Sequence, residues 1–172
     1  MNIHFEPLNI TEELAKQMTL WYNDPDIAPF IHPNFKEEEP LALTWEDVMK
    51  QEFPDPKIEK YLIMDAHLAI GELSITQDFF WLMKKEPHSA WISIVIGDKN
   101  YWGKGIAQSA MTFLEDQCRK NRYQRIELGV FEHNLKAQHL YHKMGYQEFI
   151  RKPHFTYSLG HWCADIRMEK YL

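Results

Sequence analysis

Gly103 and Gly105 flank Lys104 in the stretch YWGKGIA, directly after a strongly apolar run and directly before residues with helical spacing. The amides that open a helix have no intrahelical acceptor and sit at the positive end of the helix dipole, so they form a ready anion site. Glycines at that junction let a phosphate approach closely, because neither carries a Cβ. Charge-assisted hydrogen bonds contribute roughly 1.5–3 kcal/mol each, so several of them could hold a pyrophosphate, with Lys104 adding positive charge. On its own, G-x-G fits a tight strand-to-helix turn equally well. Two other phosphate motifs fit worse. A Rossmann turn would place a third glycine where Gln108 stands and would lack the spacer DKNYW, and the P-loop pattern G-x-x-x-x-G-K-S/T is absent.

A second group of residues lies in NLKAQHLYHKMGYQE, residues 134–148. Read by spacing alone, Asn134 is a helix N-cap and Tyr141 an aromatic between Leu140 and Met144 on a core-facing helix. His133, just before Asn134, reads as a surface loop histidine. The nine histidines show no ligand spacing such as H-E-x-x-H, so no metal is expected. The two cysteines, Cys118 and Cys163, have no C-x-x-C or metal-ligand spacing and read as buried free thiols.

Taken together, YWGKGIA and NLKAQHLYHKMGYQE resemble the GNAT superfamily of acetyl-CoA-dependent N-acetyltransferases, especially the branch that includes the ribosomal-protein N-terminal acetyltransferases. The family's phosphate loop reads R/Q-x-x-G-x-G/A. Trp102, Lys104, Gly105, Ile106 and Ala107 lie in it, with Trp102 where Arg or Gln is usual, a departure common in that branch. The later motif, N-x-x-A-x-x-L-Y-x-x-x-G-F/Y, is matched by Asn134, Ala137, Leu140, Tyr141, Gly145 and Tyr146. The resemblance runs from about Ala90 to Glu148.

What it implies is an α/β, GNAT-like fold: a mixed, mostly antiparallel central sheet with a splayed strand pair and helices on both faces. The strands AWISIVIG and RIELGVF would splay, and the pantetheine arm of acetyl-CoA would lie between them against Val95, Ile96 and Gly97. The amides from Gly103 to Ala107 would hold the pyrophosphate, Asn134 would help position the cofactor, and Tyr141 would protonate the departing thiolate. An amine attacks a thioester only when neutral, so a group must also remove a proton. Many relatives carry Glu where this chain has Trp91. Glu72 and Glu127, both in strands, are the remaining central carboxylates, although alternation allows either to face solvent; a water chain is the third choice. The acceptor would be a small-molecule amine or a protein N-terminus, and a non-catalytic CoA-binding sensor or interaction module is the alternative function.

The elements that must position these residues follow from pattern. NIHFEPL alternates as a strand, with Asn9 and Glu12 as a capping box for a helix through Leu14, Met18 and Trp21. Pro25, Pro29 and Pro33 break the next stretch into a short helical piece or loop, and Thr44 with Asp47 opens a short helix stopped by Pro54 and Pro56. KYLIMD and HLAIGELSIT read as a hairpin joined at Asp65-Ala66, and AWISIVIG as an inner strand covered on both faces. Helices from about Gly105 to Asn121 and from about Asn134 to Met144 bracket the strand RIELGVF, and two strands close the chain.

The 172 residues fit a single domain spanning 1–172, and 45% apolar with 14% aromatic residues describes a globular chain. The N-terminal MNIHFEPLNI lacks the pattern of a secretory signal and no apolar run reaches membrane-spanning length, so a cytoplasmic protein with no membrane partner is expected. A net charge of -6 argues against a nucleic-acid partner and tolerates a cationic substrate. The acidic run KEEE, with Asp24, Asp26, Glu46 and Asp47, reads as a solvated face. FFWLMKK, residues 79–85, reads as core packing, with an acceptor pocket or a homodimer contact as alternatives.

Overall fold

The largely apolar runs of the first half build a hairpin: β2 (Ile58–Asp65) and β3 (Leu68–Gln77) pair antiparallel around a tight turn in which Ala66 takes a positive φ. β1 (Ile3–Pro7) adds to β2 and β4 (Ser89–Ile96) to β3, both antiparallel. In the second half β5 (Arg125–Phe131) pairs antiparallel with β7 (His161–Tyr171), and β7 with β6 (Gln147–Ser158). β4 and β5 run parallel and join the two halves into one seven-stranded sheet, ordered β1-β2-β3-β4-β5-β7-β6. This is the mixed, mostly antiparallel sheet implied above. The computed structural model describes residues 1–38, 40–51 and 55–172.

Helices cover both faces because the strands bury apolar residues on both. On one side α4 (Ile106–Lys120) sets Ile106, Met111 and Leu114 against Leu73, Ile92, Ile126 and Leu128, and α5 (Leu135–Lys143) packs beside it through Leu140 and Tyr141. On the other, α1 (Glu12–Tyr22) and α3 (Trp45–Gln51) bury Ala15, Met18, Trp21 and Val48 against Leu62 and Met64. The proline-broken segment contributes one turn, α2 (Ala28–Ile31). Among the described residues no helix is long and apolar enough to cross a membrane.

Two local expectations need correction. α1 is capped by Thr11, whose Oγ1 accepts the Leu14 N–H at 3.2 Å, while Glu12 pairs with Lys16 instead of closing a box on Asn9. The short helix expected to open at Thr44 and Asp47 is present, with reciprocal N–H to side-chain bonds of 3.1 and 3.3 Å between the two; Pro54 lies outside the described residues. β4 is central in the sheet yet Ser93 is exposed, so the strand is not covered on both faces. Its all-apolar look concealed an opening.

β4 ends at Gly97, whose N–H and that of Asp98 both donate to the Ile70 carbonyl, at 2.9 and 3.0 Å. The Trp21 indole lies on this glycine so closely that a Cβ would overlap the ring. Close approach, then, requires glycine here. Gly97→Ala is expected to lower stability by roughly 1–3 kcal/mol, the usual cost of overpacking, as read by urea unfolding, and shrinking Trp21 to Leu in the same chain should recover part of the loss.

Candidate active site

The parallel ladder between β4 and β5 is three pairs long: Ser89 with Arg125, Ala90 with Ile126, and Trp91 with Glu127. After that the strands continue without pairing, Ile92–Ile96 on one side and Leu128–Phe131 on the other. The side chain of Trp91 reaches across β5 at Gly129, where a Cβ would come within 2.9 Å of the indole. The indole that stands where many relatives carry Glu therefore works as a wedge at the point of divergence. Val95 turns its side chain into the α1 core, leaving the backbone of β4 to face the gap. The Ile96 carbonyl accepts the Trp102 indole N–H at 3.0 Å, which ties the loop after β4 to the strand.

That loop is a 3-10 turn, Lys99–Tyr101, followed by Gly103 at φ 72° and Gly105 at φ 80°. An ideal Cβ at either glycine meets nothing within 4 Å, so the backbone conformation, rather than crowding, selects glycine. Gly105 caps α4 with no side-chain acceptor, and the first turn carries no acidic residue, so the amides of Ile106 and Ala107 open the helix without a side-chain partner from the cap. Two lysines stand near: Lys104 over the Tyr101 ring at 5.4 Å, and Lys143, whose Nζ donates to Gln108 Oε1 at 2.9 Å. Lys143 was missed in the sequence because it lies 35 residues from its partner and inside no motif. The residues present fit an anionic pyrophosphate.

α5 starts where β5 ends. Asn134 donates its N–H to the Phe131 carbonyl and accepts the Ala137 N–H at 3.2 Å, so it is the N-cap. Tyr141, two turns on, packs against the main core and lies 6.1 Å from the Tyr146 ring. Burial pushes its phenol up to about 12, which keeps it protonated across the physiological range. Among the described residues its hydroxyl has no hydrogen-bond partner, so its proton is available to a ligand.

The two carboxylates have different fates. Glu127 is fully buried, and its oxygens receive Arg125 Nη2 at 2.5 Å, Arg167 Nη1 at 3.3 Å and the Met83 N–H at 2.9 Å. Around it Arg125 also binds Glu169 and Arg167 binds Asp165. Glu72, opposite Val95 in the β3–β4 register, accepts the Tyr22 hydroxyl. Tyr22 in turn lines a groove of about 580 Å³ together with Pro29, His32, Asn34 and the β6–β7 turn at Leu159 and Gly160. Burial lowers the pKa of His32, whose ring meets Tyr22 edge-on at 5.4 Å. His133 is no surface histidine: it is half-buried between Phe30 and Phe131, bonded through Nε2 to the Pro29 carbonyl. Asp24 and Asp26, read as a solvated acidic face, are both bound by Lys99.

Residues 15–146 match the acetyltransferase (GNAT) family. The chain belongs to it. As a GNAT enzyme it moves acetyl from acetyl-CoA to an amine, and the non-catalytic reading is not favoured. Among curated proteins it is 48% identical to the N-acetyltransferase YdgE of Bacillus subtilis over 44 residues, which span 26% of this chain and only 28% of that protein. It is 29% identical to YycN of the same organism over 158 residues, 86% of this chain and 94% of that protein; both relatives are described as uncharacterized. A Vibrio cholerae spermidine N-acetyltransferase solved with CoA and spermine shares the fold at TM-score 0.79, with 19% identity over 99% of this chain and 95% of that one. A Brucella melitensis ribosomal-protein-alanine N-acetyltransferase shares it at 0.74, with 17% identity over 98% and 99%. Among the described residues of this GNAT chain no three His, Cys, Asp or Glu side chains gather to hold a metal.

Glu127→Ala would leave two buried guanidiniums each short of one carboxylate. Breaking such a network on one side costs about 3–5 kcal/mol, and because Glu169 and Asp165 remain, the loss should fall at the low end. Chemical denaturation reads it directly, and acetyl-CoA affinity of the folded fraction should be unchanged.

Proposed function

We propose that acetyl transfer occurs in the gap between β4 and β5 by direct attack of the amine in a ternary complex, with acetyl-CoA held from the α4 side and the amine entering from the α1 side. The observation that carries this is the three-pair ladder: beyond Trp91 the strands part and open toward an uncapped, glycine-led helix. Gly103, Lys104, Gly105, Ile106 and Ala107, with Lys143, bind the pyrophosphate. The backbone of Val95, Ile96 and Gly97 meets the pantetheine arm, and Asn134 fixes the start of α5 beside it.

Direct attack is supported by the cysteines. Cys118 and Cys163 are both fully buried, and burial pushes the Cys118 thiol up to about 12. Neither offers a thiolate for an acyl-enzyme. Two reduced, buried thiols also suit a cytoplasmic setting.

Glu72 is the base, reached from the acceptor groove past Tyr22, and Glu127 is a structural anchor. The acceptor is a primary amine of a small molecule or a protein N-terminus that fits the groove at Tyr22, His32 and Asn34. Glu72→Gln is expected to lower turnover by roughly 10²–10⁴, the usual worth of a positioned proton acceptor, with acetyl-CoA affinity unchanged by calorimetry. Full turnover would assign the proton to water.

Tyr141 supplies the proton to the departing thiolate. Tyr141→Phe keeps the ring and should lower turnover by roughly 10²-fold. The loss should shrink with a thioester of a more acidic thiol, which needs less help to leave. With the phenol near 12, the wild-type rate should show no alkaline limb from this group up to pH 10. An equal defect with both donors would make Tyr141 a positioning residue.

A further inference from the structure

A second cavity, of about 410 Å³, lies beside the acceptor groove, with Phe35, Phe80, Trp81 and Phe155 among its walls and Lys85 and Lys152 at its lining. The segment around Asn34 separates the two. Its backbone docks on β6, with the Asn34 N–H donating to Thr156 Oγ1 at 2.8 Å and the Tyr157 N–H to the Asn34 carbonyl at 2.7 Å. Asn34 lines the groove and Phe35 the cavity.

The aromatic walls are unusually open to solvent. Phe80 is 71% exposed, Phe35 55% and Trp81 36%, and their rings meet edge-on, Phe35 with Trp81 and with Phe155. Residues 79–85 therefore are not the core packing expected from the sequence, apart from Leu82, which is buried. They are nonetheless held in place from below. Glu127 accepts the Met83 N–H, and Arg167 donates to the Trp81 carbonyl at 3.1 Å. Arg125 donates to the Lys84 carbonyl at 3.5 Å. Three buried charges thus brace one short loop, and what the loop presents is apolar.

Among the described residues the charge lining the cavity has one sign. Lys85 Nζ donates to the Phe80 carbonyl at 2.6 Å, and Lys152 Nζ stands 5.1 Å from the centre of the Phe155 ring. Among the described residues neither ammonium is paired with a carboxylate. The carboxylate that Lys152 feels, Asp165, is buried and taken by Arg167 Nε at 2.5 Å. Among the described residues no acidic side chain lines the cavity. Aromatic walls accept a flat apolar body, and two ammoniums without carboxylate partners accept an anion. A cationic amine, the kind of molecule that serves as acetyl acceptor, meets repulsion here.

We propose that this cavity is a binding site for a small aromatic carboxylate, separate from the acceptor groove. The volume falls in the range of small-molecule sites, about 300–1,000 Å³.

The test is calorimetry on the whole chain with three probes that share a phenyl group on a two-carbon arm and differ in charge: phenylacetate, phenylacetamide and phenethylamine. Phenylacetate should bind at least about tenfold more tightly than the neutral amide, and the amine most weakly, a spread expected when one charge meets two like-signed partners. Raising the salt concentration should weaken phenylacetate and leave the amide unchanged. The charge-reversed pair Lys85→Glu with Lys152→Glu should invert the order; if that chain folds poorly, Lys85→Gln with Lys152→Gln should abolish the preference. Phe80→Ala, at an exposed ring, should weaken all three probes. The proposal is overturned if the amine binds as tightly as the carboxylate, if the lysine variants keep the phenylacetate preference, or if phenylacetate does not bind. None of these readouts depends on acetyl transfer.

Discussion

The architecture of this molecule depends on how briefly β4 and β5 hold together. A parallel pair normally continues for the length of its strands, since each further residue adds ladder hydrogen bonds. Here pairing ends after Trp91 and Glu127, and both sides of the stop are built. Trp91 lies across β5 where only glycine, Gly129, leaves room. At the other end of β4, Gly97 seats Trp21 and turns its amide to Ile70. Two indoles and two glycines hold open a gap that backbone hydrogen bonding would otherwise close. The glycine-led loop before α4 and the start of α5 then take their places at its edges.

The buried ionic cluster is the second foundation. Arg125, Glu127, Asp165 and Arg167 lie almost fully out of solvent on adjacent strands β5 and β7. Burying charge is unfavourable unless each group is paired and hydrogen-bonded. That condition is met partly through the loop at 79–85, whose amide and carbonyls fill the remaining valences. Burial raises the pKa of Asp165 even beside Arg167, whereas for Glu169 the same burial is outweighed by Lys84 and Arg125, and its carboxyl is lowered. For Glu169 the sign is that of a group whose contribution is present above the usual carboxylate range and fades as acid protonates it. The cluster ties the base of the gap to an aromatic loop far away in sequence.

The fold was legible where information is local. Gly103 and Gly105 mark the positive-φ turn that opens α4, and Asn134 caps α5 where its spacing says it should. β5 spans the residues RIELGVF that the apolar run marks out. What the sequence hid was set by distant partners. Glu127 looked like a free central carboxylate because its bonds go to Arg167, 40 residues ahead, and to Met83, 44 behind. His133 looked exposed because Phe30, which covers it, is on another element. β4 looked doubly buried because its composition does not record that its neighbour leaves. Asn9 lost the cap of α1 to Thr11 through a two-residue difference that pattern reading seldom resolves.

Counted by backbone bonds, the molecule is two antiparallel sheets, a four-stranded and a three-stranded one, sutured by three residue pairs and bridged by helices. Such a suture is the seam along which cooperativity is thinnest, because the ladder that usually transmits order between neighbouring strands is missing over most of their length. The amides and carbonyls left facing the gap resemble two unjoined selvedges. A ligand arm carrying its own amides can take the place of the absent strand, so that filling the gap also completes the weave of the sheet.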